Sequence, residues 1–373
     1  MLFSFCKVVN LGLHSGLHFV WKRSFFPHLL LPVMNDVTAH ILSRLTVVAD
    51  FLSGEALCRE FAITRSAVWK HIGLLRSEGY HIEAVTGRGY RLSGLTGRPV
   101  EAEVQPFLDG RRFGKKIIYH PLIASTNILA KALAVDGAPE GCVVVADSQS
   151  GGRGRMGRTW VSPPGVNLYF SLILRPGVPS IRVPQLTLLV AAAIHQAFCK
   201  LSFDLVAKIK WPNDILVRGK KLCGVLCEMQ SEPDCTHFVV VGIGINVNQS
   251  EFPPLLQDSA TSLFLERGQL LLRPELLASV LNHFEPLYDE WLLQEDLSFI
   301  LPYLEAHSLL QSKEVTVDQL KRSLSGTVRG ISCRGELKLE NAEGETILVS
   351  SGEAHLQATL SEQKPFNLLW NQQ

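Results

Sequence analysis

The chain has 373 residues, 46% hydrophobic and 19% charged, with 36 Lys and Arg against 35 Asp and Glu. That length allows two or three domains with sizeable cores, and a formal net charge of +1 excludes a protein that coats nucleic acid over its whole surface. Any contact with DNA must come from a local basic patch.

Residues 1–34 carry Lys7, Lys22 and Arg23 but no acid; the first acid is Asp36. Their apolar runs are broken by His14, His18, Lys22 and His28, short of the ~18 apolar residues of a membrane span. A targeting peptide fits that composition. The simpler expectation is a true start at Met34, with 1–34 a mis-assigned or disordered extension.

From Thr38 the pattern becomes helical, with Ile41, Leu42, Leu45 and Val48 on one face. Ser53-Gly54-Glu55 breaks the chain and caps a second short helix carrying Ala56, Leu57 and Phe61. After a turn at Ala62-Ile63, Thr64 caps a third helix over 65–78, which Gly79 ends. Val68, Ile72 and Leu75 are its buried positions. Arg65, Ser66, Trp69 and Lys70 then point outward near its start, where a recognition helix places groups for phosphates and base edges. The stretch 80–92 alternates on both sides of Gly87-Arg88-Gly89, which predicts a hairpin wing with Arg88 at its tip. Residues 35–97 thus read as a winged helix-turn-helix that binds DNA; the bland alternative is a small helical domain with solvated charges.

Residues 98–310 alternate strands and helices. Ile117-Ile118-Tyr119-His120 is a short strand, and Ser125 or Thr126 caps the helix after it, with Asn127 in its first turn. A strand over 142–146 runs into Gln149-Ser150-Gly151-Gly152-Arg153-Gly154-Arg155-Met156-Gly157-Arg158-Thr159-Trp160. Glycines let backbone N–H groups approach an anion and arginines supply forks of donors. Its position between two apolar strands, 142–146 and 167–174, argues against a disordered Arg-Gly tail. No Gly-Lys-Ser/Thr follows, so it is not a Walker A loop. Farther on, Lys208 and Lys210 share one face of a strand, with Ile209 and Trp211 on the other. Pro212-Asn213-Asp214 turns the chain, and a second turn at Arg218-Gly219-Lys220-Lys221 leads into a strand carrying Cys223, Gly224 and Cys227. Two lysines on a strand are most often a solvated edge; the Trp-Pro-Asn-Asp turn beside them makes that reading less comfortable. Val239-Val240-Val241-Gly242-Ile243-Gly244-Ile245-Asn246 is an apolar strand whose glycines mark close approach of a ligand. The eight cysteines lack metal-site spacing and read as buried reduced thiols of a cytosolic protein.

In this order, Gly-Arg-Gly-Arg-x-Gly, Lys-Trp-Pro-Asn-Asp and Gly-x-Gly-Ile-Asn resemble the biotin–protein ligases. The wing Gly-Arg-Gly-Tyr-Arg-Leu matches their bifunctional class, ligase and biotin operon repressor in one chain. The resemblance implies an α+β protein: the winged helix, a mixed-sheet catalytic domain similar to class II synthetases, and an SH3-like β-barrel over 311–373. Glycine turns among Glu314-Val315-Thr316-Val317, 326–331, 335–339 and 345–349 agree with such a barrel. It also implies two reactions. Biotin's carboxylate attacks the α-phosphate of ATP to give biotinyl-5′-AMP and pyrophosphate, and a lysine of the biotin carboxyl carrier protein of acetyl-CoA carboxylase then takes the biotinyl group.

By motif, Arg155, Lys210 and Lys221 are the catalytic cations. Ser125, Thr126, Asn127, Gln149, Arg153, Gly154, Arg155, Lys221, Gly224 and Gly242 bind biotin, with Gly244 also allowing close approach. Arg158, Trp160, Lys210, Asn213 and Asn246 bind ATP or AMP; Trp160 covers the adenine. Mg²⁺ comes with ATP, with Asp214 a candidate partner and no dedicated metal site. Met156 departs from a loop position that is often basic. The adenylate-loaded form is expected to dimerise and bind operator DNA, in the cytoplasm and without a membrane. The alternatives are a lipoate-type ligase on the same fold, a biotin sensor without ligase activity, and a ligase without DNA regulation.

Overall fold

The computed structural model describes residues 36–48, 50–201, 205–319 and 322–357, so the expectations for 1–34 and for Met34 lie outside it. At the N-terminal end, α1 (Asp36–Val47), α2 (Gly54–Phe61) and α3 (Arg65–Ser77) are followed by a hairpin of β1 (His81–Val85) and β2 (Gly89–Gly94). The two foreseen caps are made: Ala56 N donates to the Ser53 hydroxyl at 3.0 Å and Ala67 N to that of Thr64 at 3.3 Å. Ala62 turns the chain with φ 53°. Val68, Ile72 and Leu75 are buried with Ile41, Leu42, Leu45 and Leu57. The hairpin is pinned to the helices by an antiparallel bridge between Leu52 and Tyr90. Gly89 makes this possible, because at φ +108° an added Cβ would lie 2.1 Å from the Leu52 carbonyl oxygen.

The central domain contains α4 (Glu101–Val104), β3 (Ile117–Ile123), α5 (Thr126–Val135), β4 (Val143–Gln149), β5 (Leu168–Leu174), α6 (Gln185–Leu201), β6 (Ala207–Lys210), β7 (Asp214–Val217), β8 (Lys220–Ser231), β9 (Thr236–Ile245), α7 (Leu263–Arg267), α8 (Arg273–Gln294) and α9 (Leu301–Ala306). Its seven strands form one mixed sheet in the order β3-β4-β5-β9-β8-β7-β6. Only β3 and β4 are parallel. β5 is buried along its whole length because both faces of the sheet are covered. Phe170, Leu172 and Val241 join the main core with α6 and α8, while Val144, Ile173 and Val240 pack with Ala130 and Ala134 of α5. Residues Ser180–Leu201 have the length and apolar character of a membrane span, but 72% of their 18-residue apolar window is buried inside the protein, as befits a core helix.

At the C-terminal end, β10 (Glu314–Asp318), β11 (Ser323–Ile331), β12 (Leu337–Glu340), β13 (Thr346–Val349) and β14 (Glu353–Leu356) form an antiparallel sheet in the order β13-β12-β11-β10-β14. β14 has no counterpart among the sequence expectations. The Trp211 indole N–H donates to the Gly335 carbonyl at 3.0 Å, joining this sheet to the central one.

Buried polar groups hold the segment between hairpin and central domain. The fully buried Glu103 accepts from Thr96 N at 3.2 Å, Gly97 N at 3.0 Å and the Thr96 hydroxyl. The buried Arg273 guanidinium donates to the Gly97 carbonyl at 3.1 Å, the Asn167 carbonyl at 3.1 Å and the Asp147 carboxylate at 2.8 Å.

Candidate active site and nucleic-acid interface

The ladder places Lys210 opposite Asp214, Asp214 opposite Gly224, Gly224 opposite Gly244, and Gly244 opposite Tyr169. Side chains in one such row share a sheet face. The two adjacent glycines leave a flat floor there, and the Trp160 indole lies on it. A Cβ on Gly244 would stand 2.5 Å from Trp160 Cε2, and one on Gly224 would stand 3.0 Å from Cζ3. The indole N–H is buried and has no acceptor among the described residues. Lys221 Nζ lies 5.4 Å from the ring centroid.

Arg155, Lys210 and Lys221 come together around Asp214. Lys221 Nζ pairs with Asp214 Oδ1 at 2.8 Å. Arg155 Nη1 donates to Asn213 Oδ1 at 3.1 Å, and Asn213 Nδ2 donates to the Val225 carbonyl at 3.0 Å, which fixes the receiving amide. Burial lowers the pKa of Lys210 and of Arg155, and the Asp214 carboxylate opposes that in both. The Glu353 carboxylate also acts on both, and Arg158 adds a fourth cation, so four cations about two carboxylates leave net positive charge beside the glycine floor, suited to an anion with more than one negative oxygen.

The arginine-glycine segment is a short hairpin closed on the protein itself. Trp160 N donates to the Gly152 carbonyl at 2.9 Å and Gly154 N to that of Arg158 at 2.7 Å, around a turn in which Met156 has φ 55°. Arg158, expected at phosphates, forms a two-pronged pair with Glu353 of β14 (Nη1 to Oε1 2.6 Å). That bond raises the arginine's pKa and lowers the carboxylate's. Arg153 is exposed.

Ser125, Thr126 and Asn127 are buried at the start of α5, but neither foreseen side-chain cap is made. Instead Gln149 Oε1 accepts from Thr126 N at 2.9 Å, and Gln149 Nε2 donates to the Ser162 hydroxyl at 3.1 Å. Asn127 Nδ2 donates to Glu228 at 2.8 Å, and its Oδ1 lies 2.6 Å from the Ser171 hydroxyl. A Cβ on Gly242 would fall 2.1 Å from that same oxygen. Gly224, Gly242 and Gly244 therefore admit Trp160 and Asn127 side chains, where the sequence suggested only a ligand. Asn246 Nδ2 donates to the Thr261 carbonyl at 3.0 Å and the residue is buried, which makes it a support for the strand beside Lys221.

Sequence reasoning missed Ser171, Glu228 and Glu353. Ser171 is the lone serine in Leu-Tyr-Phe-Ser-Leu-Ile-Leu, a run buried throughout, and a hydroxyl there needs a polar partner. Among the described residues no group of three or more His, Cys, Asp or Glu could hold a metal, and all described cysteines are free thiols. Cys199 and Cys235 are exposed, against the expectation of burial, while Cys223 is fully buried and burial pushes the Cys227 thiol up to about 11.

On the N-terminal domain, Arg65, Ser66, Trp69 and Lys70 are all exposed on α3. Arg88 is folded back at the hairpin tip: it pairs with Asp50 at 2.9 Å and lies over the Phe51 ring at 4.2 Å. A groove of about 470 Å³ between α3 and the hairpin is lined by Ser53, Glu55, Arg65, Arg88 and Tyr90 among others.

Three family models match the chain: the biotin/lipoate A/B protein ligase family over residues 119–246, a helix-turn-helix domain over 38–91, and the biotin protein ligase C-terminal domain over 313–356. The bifunctional ligase/repressor BirA of Bacillus subtilis is 41% identical over 297 residues, 79% of this chain and 91% of that one. Its Escherichia coli counterpart is 30% identical, covering 82% and 94%. Among solved structures, the biotin protein ligase of Aquifex aeolicus in complex with biotin and ATP superposes with a TM-score of 0.57 at 30% identity, covering 66% of this chain and 100% of that one.

Proposed function

The chain belongs to the biotin protein ligases, in their bifunctional ligase/repressor class, and from that membership we propose how its residues carry the two activities. It is a biotin–[acetyl-CoA-carboxylase] ligase that uses ATP, and its helix-turn-helix domain represses transcription. The observation that carries the chemistry is the gathering of Arg155, Lys210 and Lys221 around Asp214 beside the glycine floor.

The first reaction brings a carboxylate against a phosphate. Both are anions, so fixed cations must offset their repulsion and the charge that develops between them. Lys210 and Lys221 supply charge at the junction, and Arg155, oriented by Asn213, holds the resulting mixed anhydride in place. Thr126, Asn127 and Ser171 present buried polar groups at the start of α5, which Gln149 keeps in position, and these suit the polar ring of biotin. Trp160 offers a flat face for adenine and an N–H with no acceptor among the described residues. Arg158 meets the departing phosphates after exchanging Glu353 for them. In the second reaction a carrier lysine amine attacks the activated carbonyl and AMP leaves. Asp214 is paired with Lys221 and, among the described residues, no three or more His, Cys, Asp or Glu stand together, so Mg²⁺ would enter with the nucleotide, with Asp214 as its candidate partner on the protein.

The domain division, 35–97 for DNA, 98–310 for catalysis and 311–373 for the C-terminal sheet, is part of this reading. So are a homodimer in the adenylate-bound state, a cytoplasmic setting without a membrane, and operator DNA and the carboxyl carrier protein as macromolecular partners. Pyrophosphate release from ATP tests the substrate: biotin should drive it and lipoate should not. Equal release with lipoate would move the protein to the lipoate-type alternative.

A further inference from the structure

Val68, Ile72 and Leu75 fix which side of α3 faces the domain core. Trp69 stands beside Val68 yet is 69% exposed, whereas Trp160, Trp211 and Trp291 are buried or half-buried. One helical turn on, at i+4, is Gly73, a direct neighbour on the helix surface. Its conformation is helical and a Cβ built on it meets nothing within 4 Å. Nothing among the described residues therefore requires glycine there, and alanine would both fit and favour the helix. The space beside the indole is left open to whatever docks on this face. The helix carries no acidic residue, and Arg65 and Lys70 are exposed near its start (Arg76 is turned onto the Ile82 carbonyl), which makes a polyanion the complementary partner.

Phosphates satisfy the basic groups but offer an indole nothing apolar. On the base edges of a major groove the apolar group is the C5-methyl of thymine. We propose that Trp69 covers a thymine methyl in the bound DNA, with Gly73 providing the clearance that lets the base edge reach the ring. The proposal rests on the DNA-binding reading above and adds to it the base and the two residues that read it.

The test uses the full chain with biotin and ATP, and a duplex that the chain itself selects from a randomised pool. Each thymine of that duplex is replaced in turn by deoxyuridine, which removes the methyl and nothing else. Replacement at one thymine per bound helix should weaken wild-type binding about three- to tenfold, in line with burial of a single methyl group. Trp69→Ala should bind the selected duplex more weakly and be indifferent to that same replacement. Gly73→Ala should melt higher than wild type and yet bind the selected duplex about tenfold more weakly, a pair of opposite signs that mere loss of fold does not produce. A flat uracil scan, or a Gly73→Ala variant that binds as well as wild type, overturns the proposal. So does a flat scan combined with altered self-association of Trp69→Ala in sedimentation, which would assign the indole to a second copy of the chain. Failure of the pool to yield any enriched duplex would instead bring down the DNA-binding reading itself, and this proposal with it.

Discussion

Lys210→Met should make the protein more stable and nearly inactive. Lys210 stands in the same row of the sheet as Asp214, Gly224 and Gly244, and burial is the largest influence on its ammonium, holding its pKa below the ordinary 10.5. Asp214 and Glu353 offset part of that cost, while Lys221 and Arg158 add to it. Asp214 keeps Lys221 at 2.8 Å when Lys210 is gone, so no carboxylate is orphaned. Methionine matches the length of the side chain and removes the buried charge. Relief of this kind is commonly worth about 1 kcal/mol, or roughly 2–4 °C in melting temperature for a domain of this size. The sign also follows with pH. Below the depressed pKa the wild type bears the full cost of the buried charge; as pH rises through that value the lysine loses its proton and the cost falls. The melting gap between variant and wild type should therefore be widest near neutral pH and narrow in alkaline buffer. Biotin-dependent pyrophosphate release should drop by about 10²–10³, the usual loss when one donor to a developing anion is removed. Scanning fluorimetry across pH and a pyrophosphate assay read both effects. A variant that melts lower than wild type, or that keeps its rate, refutes the reasoning.

Gly244→Ala would put a methyl 2.5 Å from the Trp160 ring, so the indole must leave its floor. We expect overpacking of about 1–3 kcal/mol, a changed tryptophan emission and a KM for ATP raised about tenfold; unchanged emission would mean that the ring is not seated there. Arg273→Met leaves the half-buried Asp147 without its cation and frees the Gly97 carbonyl. Breaking such a pair costs about 3–5 kcal/mol, to be read by urea unfolding and by faster proteolysis near residues 94–100; wild-type stability would remove Arg273 from the junction's supports. Arg65→Ala should weaken DNA binding and flatten the salt dependence, lowering the slope of log K against log salt by about 0.9, while ligation proceeds; loss of ligation instead would show that the domain division is drawn in the wrong place.

The features legible in the sequence were those decided within a few residues. Ser53 and Thr64 cap as expected, because a cap depends only on the next helical turn. Val68, Ile72 and Leu75 face inward because their spacing leaves no other arrangement. Ile209 and Trp211 are fully buried while Lys208 and Lys210 on the other face are half-buried, as strand alternation dictates. Partners across long sequence distances were not legible. Glu353 meets Arg158 across 195 positions, and β14 that carries it is four residues long with a single fully buried side chain, too little pattern to mark a strand. Glu228 reaches Asn127 across 101 positions. The glycines of β8 and β9 are expected to mark close approach of a ligand; the groups that approach them in the structure are the Trp160 and Asn127 side chains, which local spacing cannot reveal. Arg88 sits at the hairpin tip as alternation requires, yet its pairing with Asp50 depends on how the hairpin leans on the helices.

The decisive observation is the mass of the acceptor. The full chain is incubated with biotin, ATP and a biotin carboxyl carrier domain, and the carrier is weighed intact and then mapped. Gain of one biotinyl group on a single lysine, dependent on ATP and abolished by Lys210→Met, is the expected result. A carrier that stays unmodified while the wild-type chain is folded and binds biotin would contradict the account.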